Sequence, residues 1–212
     1  MLSTFSALIL GFILGMRHAT DPDHVVAVTT IVGGQRSIAR ATGIGALWGI
    51  GHTVTILLVG GSILVFRLAI PPRLGLAMEF SVALMLIVLG VLSLTGRSAA
   101  SALSPLRPVM VGFVHGLAGS AFVAMLVLGA IPSPVVGILY LLVFGVGTVA
   151  GMSLITTMIA IPSAYSLAKF TNVQRYLQLA SGAVSVGLGI FLAHDVGIVN
   201  GLFGANPTWD PH

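Results

Sequence analysis

The sequence predicts an all-α, polytopic membrane protein with six transmembrane spans. Of its 212 residues, 57% are hydrophobic and only 7% are charged, and the mean hydropathy is +1.10. A soluble domain has about 25% charged residues, so this composition excludes one. Five runs with almost no charge cover residues 43–66, 74–95, 109–131, 134–161 and 176–199. Each run reaches the roughly 20 residues with which a helix crosses a bilayer.

The remaining span, residues 2–34, is predicted to be a broken helix. Its two apolar halves are each too short to cross a bilayer, and the polar stretch RHATDPDH lies at their junction. Pro22 has no N–H for the carbonyl of His18 and its ring crowds that carbonyl, so the helix should kink or stop there. Thr20 or Asp21 is then expected to be the N-cap of a second helix that begins at Pro22. A cleaved signal peptide would also be apolar, but the basic leader and the small cleavage-site residues are missing.

The basic residues predict how the chain crosses the membrane. Six of the nine follow the odd-numbered spans: Arg36, Arg40, Arg97, Arg107, Lys169 and Arg175. Only Arg67 and Arg73 follow even-numbered spans. Because cytoplasmic loops are rich in Lys and Arg, the first, third and fifth loops are predicted to be cytoplasmic and both termini external. Residues 201–212 then form a polar external tail, expected to be loosely attached.

The two groups of three spans predict a 3+3 inverted repeat, with one repeat in residues 1–100 and the other in residues 101–200. Three motif pairs recur in order at offsets of 101, 96 and 99 residues: GFILG at Gly11 with GFVHG at Gly112, GIGHTV at Gly49 with GVGTVA at Gly145, and LGVL at Leu89 with LGIF at Leu188. Inverted repeats in transporters place a site near the middle of the bilayer. The alternative is that glycine-rich apolar helices resemble each other by composition, and GxxxG spacing serves only helix packing.

Composition also excludes several functions. The net charge of +4 is spread over loops rather than gathered on one face, which argues against a nucleic-acid partner. The absence of cysteine excludes disulfides, thiolate ligands and thiol catalysis. No GxxxxGK[ST] motif for ATP occurs. Transport would therefore be facilitated, coupled to another ion or powered by another subunit.

The polar stretch in the first span predicts a metal site. An ionisable group at the middle of a bilayer costs about 3 kcal/mol even on the most lenient scale, so a cluster requires a purpose. A continuous helix would set His18 and His24 about 240° apart, whereas a broken helix lets them converge with Asp21 and Asp23. Imidazoles and carboxylates without sulfur suit Ni²⁺, Co²⁺ or Zn²⁺. The alternative is a boundary cluster at the outer surface with hydrogen-bonded histidines.

Three further residues are candidate ligands. His52 lies ten residues into the second span, too deep to reach the surface, and His115 lies about seven residues into the fourth. Each could instead be a hydrogen-bonded packing histidine. Glu79 opens the third span, where it could contact lipid headgroups or face inward as a ligand or proton carrier. The complete set of metal candidates is His18, Asp21, Asp23, His24, His52, His115 and Glu79.

At these positions the sequence resembles the nickel/cobalt transporter family, and in particular its short, UreH-like branch of urease-accessory proteins. The marker of that family is a His, four residues and then Asp-His, and it stands here as His18, Asp23 and His24. A second marker stands as WGIGHT with His52. MEF at residues 78–80, HGLAGSA at His115 and FGVGTVAGM at residues 144–152 are also similar to that branch. The similarity runs from residue 10 to about residue 189.

The resemblance implies a permease, not an enzyme, that carries Ni²⁺ or Co²⁺ across the bacterial inner membrane for enzymes such as urease. The ion would be substrate rather than cofactor. His18, Asp23, His24 and His52 would bind it, while Asp21 and Arg17 adjust the site from its edge. Longer members have an acidic motif where HGLAGSA stands and an aspartate where Thr156 stands. Because this protein has fewer carboxylates at these positions than the longer members, it could differ from them in ion selectivity, affinity or coupling.

Other functions stay open at this stage. Export of a metal, or of a sulfite-type anion bound by Arg17 and helix N-termini, is the nearest alternative. A zinc-dependent intramembrane hydrolase would use His and Asp differently, but no HExxH motif occurs and Glu79 is distant in sequence from every His. A haem carrier could use His52 and His115, which would leave the Asp-rich stretch without a role. The apolar glycine faces are compatible with a homo-oligomer surrounded by lipid.

Overall fold

Helices make up the regular structure of the chain wherever it is described, and no strand occurs there. The computed structural model describes residues 4–32, 35, 37–67, 70–96, 106–117, 129, 131, 133–169 and 173–209. The helices are α1 Thr4–His18, α2 Pro22–Val32, α3 Ile38–Phe66, α4 Pro72–Leu94, α5 Leu106–His115, α6 Pro134–Lys169 and α7 Val173–His194, followed by a π-helical turn over Asp195–Val199.

The predicted break in the first helix is confirmed. Helix α1 ends at His18 and α2 begins at Pro22. The amides of Thr20 and Asp21 donate to the carbonyls of Arg17 and His18, and the Thr20 hydroxyl also donates to the Arg17 carbonyl. Thr20 therefore closes α1, whereas the carbonyl of Asp21 accepts the first backbone bond of α2. Asp21 thus holds the N-cap position, and its side chain accepts a hydrogen bond from His18 Nδ1.

Within the described part of the chain, four helices are long and apolar enough to cross a membrane: Ile38–Phe66, Pro72–Leu94, Pro134–Pro162 and Arg175–Val199. They correspond to the predicted second, third, fifth and sixth spans. The predicted first span is the pair of shorter apolar helices Thr4–His18 and Pro22–Val32. The predicted fourth span begins in α5, and residues 118–128 of it lie outside the described residues. The total of six spans stays a prediction.

The surface of the bundle is apolar and part of its interior is polar. Large hydrophobic side chains such as Phe5, Phe66, Met158 and Phe191 are exposed, while histidine, serine and threonine side chains are buried. In water this distribution would expose a large hydrophobic surface, whereas in lipid the same surface faces hydrocarbon. The long apolar helices and this surface together are those of a membrane protein.

Glycine permits the closest helix contacts. Helix α1 packs against α6, and α3 packs against both α5 and α6, while α4 packs against α7. A Cβ atom at Gly15 would run into the carbonyl oxygen of Phe144, and one at Gly51 would run into that of Val109. Such contacts between backbones are typical of small-residue packing in membranes. They bring α1, α3 and α5 close enough to share one polar interior.

The segment after the last helix packs onto α4, so the expectation of a loosely attached tail is wrong for its described residues, 201–209. The Trp209 indole Nε1 donates to Glu79 Oε1 over 2.9 Å, and Arg73 donates to the carbonyl of Gly204 over 3.2 Å. The ring of Phe203 meets that of Phe80 edge-on at 5.4 Å. The polar tail therefore covers one side of the first turns of α4.

A matched pair of glycine variants tests the close packing of α3. We expect Gly51→Ala to destabilise the protein by about 1–3 kcal/mol, because the new methyl group meets the Val109 backbone, which cannot move aside cheaply. Gly61→Ala in the same helix meets no atom within 4 Å and should be neutral, or stabilising by up to about 1 kcal/mol through helix propensity. Thermal unfolding in detergent, followed by circular dichroism, measures both. Equal melting temperatures for the two variants would contradict this packing.

Candidate metal centre

The break between α1 and α2 brings two histidines together. His18 is the last residue of α1 and His24 is the third residue of α2. Their ring centroids lie 4.6 Å apart in an edge-to-face arrangement. A continuous helix would have directed these rings to different faces, so their proximity is a direct result of the turn at residues 19–21.

Helices α3 and α5 add one imidazole each. The His52 ring lies 4.8 Å from that of His18 and 5.1 Å from that of His24, and the His115 ring lies 4.1 Å from that of His24. All four histidines are buried, with exposed fractions of 5% for His18 and at most 1% for the others. Four different helices thus direct imidazoles into one small volume, which we call the histidine cluster.

Two carboxylates orient three of these rings. His18 Nδ1 donates to Asp21 Oδ2 over 2.8 Å. His24 Nδ1 donates to Asp23 Oδ1 over 3.0 Å, and His115 Nε2 donates to Asp23 Oδ2 over 2.9 Å. A ring nitrogen that donates to a carboxylate leaves the opposite nitrogen with a free lone pair. The carboxylates therefore determine which nitrogen of each ring can bind a cation.

Three of the five remaining ring nitrogens have no hydrogen-bond partner among the described residues. His18 Nε2 and His52 Nε2 lie 2.8 Å apart and share one hydrogen bond. His24 Nε2, His52 Nδ1 and His115 Nδ1 are buried and have no hydrogen-bond partner among the described residues. Each buried polar atom without a partner costs about 1–3 kcal/mol. Three such atoms in one cluster are unusual for a packing role and are what a metal-binding site requires.

The donor atoms have the spacing of metal ligands. One ligand atom each from His18, His24 and His52 lie within 4.8 Å of one another, and so do those from Asp23, His24 and His115. Donors that surround a first-row ion at about 2.1 Å are themselves roughly 3–4 Å apart. Small side-chain rotations would therefore close either group on an ion, and the nitrogen and oxygen donors suit Ni²⁺, Co²⁺ or Zn²⁺.

Aromatic rings form the walls of the histidine cluster. Trp48 stacks on His24 at 5.7 Å and meets His115 edge-on at 5.4 Å, and Phe144 lies 5.7 Å from His18. These rings keep water away from the imidazoles, which strengthens electrostatic interactions within the cluster. Sequence reasoning did not identify Trp48 as part of the site. Its position four residues before His52, on the same helix face, was the signal.

Glu79 lies outside both ligand groups found among the described residues. Its Oε1 accepts the hydrogen bond from Trp209 at the start of α4. Thr156, which stands where longer transporters have an aspartate, is buried and donates to the carbonyl of Met152. Arg17 is exposed, beside His18 in the chain. The structure therefore brings together six of the seven candidate ligands and separates Glu79 from them.

The fold and the site define a class: a helical membrane protein whose described interior holds a cluster of imidazoles and carboxylates. Comparison with known proteins gives the family. The chain is 36% identical over 217 residues to the urease accessory protein UreH of Bacillus sp. (strain TB-90), covering 93% of this chain and 95% of that protein. The chain therefore belongs to the UreH family.

More distant relatives come from a plant. The chloroplast proteins FOR GROWTH AND FERTILITY 2 and 1 of Arabidopsis thaliana are 29% and 28% identical to the chain, over 92% and 85% of its length. The aligned region is 56% of each of these proteins. No family model and no solved structure matches the chain.

The contact between Trp209 and Glu79 gives a testable prediction about the tail. We expect Trp209→Ala to speed hydrogen exchange at the amides of residues 200–209, because the indole hydrogen bond and the packing on Gly75 are both lost. Trp209→Phe retains an aromatic ring and should give an intermediate rate. Hydrogen-exchange mass spectrometry in detergent measures both variants. Rates equal to those of the unaltered protein would show that the tail is not held by this contact.

Proposed function

We propose that this protein is a metal-ion permease that takes up Ni²⁺, with Co²⁺ as the second candidate, across the bacterial inner membrane. The observation that carries the proposal is the histidine cluster with its two carboxylates, buried inside an otherwise apolar bundle, in which His24 Nε2 has no partner among the described residues. One ionisable group in a bilayer already costs about 3 kcal/mol. Passage of a cation through the protein would explain why six ionisable groups lie together in this bundle.

The donor types support a transition metal as the transported substrate. Imidazole suits Ni²⁺, Co²⁺ and Zn²⁺, whereas Mg²⁺ and Ca²⁺ prefer a shell of oxygen atoms. The cluster is rich in imidazole, and its two carboxylates are engaged with the rings. A relative that spans nearly the whole chain is named a urease accessory protein. Together with the resemblance to nickel/cobalt transporters, that name favours nickel, the metal of urease.

The broken helix supports a route through the membrane. Non-helical backbone is tolerated at membrane depth only where it is buried in protein or lines a cavity, and transporters form substrate sites at such breaks. The Asp21 side chain is 34% exposed, whereas that of its partner His18 is 4% exposed. Asp21 is thus placed to attract a hydrated cation at the edge of the cluster, and the imidazoles behind it would replace the water ligands.

The helix contacts support the inverted repeat. If each half contributes three spans, α1 of the first half packs on α6 of the second, and α5 of the second packs on α3 of the first. If the two halves are exchanged, the contact of α1 with α6 becomes the contact of α5 with α3, and the reverse is also true. The contacts of α3 with α6 and of α4 with α7 each map onto themselves. Two halves related by a twofold axis in the membrane plane would show this pattern, and the positive-inside rule then places both termini outside.

The competing functions fit the geometry less well. An anion site at Arg17 would lie in the last turn of α1, where the helix dipole repels anions, and beside two aspartates. A zinc hydrolase needs a carboxylate positioned as a general base. Glu79, the sole glutamate, is hydrogen-bonded to Trp209 instead.

Loss of the central imidazole tests the proposal. We expect cells that make His24→Ala to accumulate no more radioactive nickel than cells without the protein, because the ring with the unpaired Nε2 is removed. Tyr140→Phe is the matched control: its buried hydroxyl has no partner among the described residues, so its uptake should equal that of the unaltered protein. Membrane levels of all proteins are matched by immunoblot. Equal uptake by His24→Ala and the control would exclude this site as the route.

The orienting role of Asp23 predicts a second effect. Asp23→Asn replaces one carboxylate oxygen by an amide N–H, so His24 and His115 can no longer both donate to this side chain. We expect Ni²⁺ affinity, measured by calorimetry on the purified protein, to fall about 10–100-fold. Asp195→Asn is the same substitution at the end of α7, where Asp195 accepts from Asn200, and its affinity should not change. Equal affinities for both variants would contradict the role of Asp23.

A further inference from the structure

We propose, on the basis of the permease function above, that the histidine cluster holds two adjacent stations for the ion that share His24. The first station consists of His18, His24 and His52, and the second of Asp23, His24 and His115. The ion crosses the middle of the protein by passing from one station to the other around the His24 ring.

The two nitrogens of His24 face different partners. Nδ1 lies 3.0 Å from Asp23 Oδ1, and the other oxygen of the same carboxylate lies 2.9 Å from His115 Nε2. The opposite nitrogen, Nε2, is buried without a partner among the described residues. The rings of His18 and His52 lie 4.6 and 5.1 Å from that of His24. Because imidazole binds metals through either nitrogen, one ring can serve both stations.

The internal repeat provides an independent observation. His18 ends GMRH and His115 ends GFVH, 97 residues later, while Trp48 and Phe144 are 96 residues apart. His18 contacts Phe144 at 5.7 Å, and His115 contacts Trp48 at 5.4 Å. With this register, His18 and His115 occupy corresponding positions in the two halves. This register pairs Gly112 with Gly15. The motif alignment at an offset of 101 residues pairs it with Gly11 instead, which lies one helical turn earlier.

The glycines support the same register. A Cβ atom at Gly15 would run into the carbonyl oxygen of Phe144, and one at Gly112 would run into the carbonyl oxygen of Trp48. Each half therefore uses a glycine, three residues before its histidine, to bring that histidine against an aromatic residue of the other half. The first station lies beside the first-half histidine and the second station beside the second-half histidine.

The correspondence also explains why the stations differ. At the offset of 96 residues, Thr148 corresponds to His52, and its buried hydroxyl donates to the carbonyl of Phe144. The second station thus has no third imidazole, and the Asp23 carboxylate takes that place. In an inverted-repeat transporter the halves move relative to each other around a fixed site. The two nitrogens of His24 point in different directions, so the ion leaves Nε2 as it joins Asp23 and His115. His24 Nδ1 and His115 Nε2 lose their protons to make room for the ion, and the opposite nitrogen of each ring is protonated instead, so both rings stay neutral. Because the two stations adjoin one ring, the ligands of the ion exchange one after another and no bare ion has to cross an apolar barrier.

The test separates the stations by single substitutions in the full-length protein. Co²⁺ alone is the probe, because its visible absorption reports the number and type of its ligands. His52→Gln removes an imidazole of the first station only. His115→Gln removes one of the second only, and its amide can still donate to Asp23. His24→Gln removes the shared ligand, and Tyr140→Phe is the control. Elution volume and helical content in detergent establish that each variant is folded.

We expect His52→Gln and His115→Gln each to bind Co²⁺ within about tenfold of the unaltered affinity, with spectra that differ from each other. Each should lower radioactive nickel uptake in cells at least tenfold, and His24→Gln should lose both binding and uptake. The proposal is overturned if His115→Gln loses Co²⁺ as completely as His24→Gln, which would mean one site. Normal uptake by His115→Gln would overturn it as well. Absence of both Co²⁺ and Ni²⁺ binding by the unaltered protein would instead refute the permease function itself.

Discussion

The missing hydrogen bond at Pro22 is the constraint on which the site depends. Without a proline at this position, α1 would continue past His18 and carry His24 to another face of the helix. The break turns the chain within three residues, so that the two rings meet at 4.6 Å. It also frees backbone groups, which Thr20 and Asp21 satisfy locally by donating to the last carbonyls of α1. The turn therefore costs few unpaired backbone groups and creates a place where side chains of two short helices converge.

Convergence of the first two histidines would be of little use without the close approach of the neighbouring helices. Gly15 lets α1 approach α6, and Gly51 lets α3 approach α5, at distances that a methyl group would prevent. These contacts position His52 and His115 over His24, with Trp48 and Phe144 as walls. The glycines that looked like packing motifs in the sequence thus have a chemical consequence. They set the size of the cluster, and the size decides whether a first-row ion can bind.

The sequence predicted the parts of the site that follow from local rules. The bilayer cost of ionisable groups identified the histidines, and proline stereochemistry identified the break. Contacts between residues far apart in the chain could not be found in this way. The bond from Trp209 to Glu79 joins positions 130 residues apart, and it depends on how the tail folds back on α4. The two hydrogen bonds of Asp23 likewise depend on where α5 places His115. The sequence therefore predicted Asp23 as a ligand without showing its hydrogen bonds to two histidines. It left the role of Glu79 undecided.

The two aspartates of the broken helix have different surroundings, and this difference bears on the proposed transport. Asp21 is 34% exposed and bonds one ring, so its charge acts on cations at the edge of the cluster. Asp23 is 17% exposed and uses both oxygens on His24 and His115. A site built from several direct carboxylate ligands would hold a divalent cation strongly and release it slowly, whereas conduction requires binding weak enough to allow exit. Each proposed station instead contains at most one carboxylate, Asp23, beside two or three imidazoles, which favours a nitrogen-preferring ion. In the proposed permease, this arrangement separates capture at Asp21 from ligation at the histidines, because the same ion must be both bound and released.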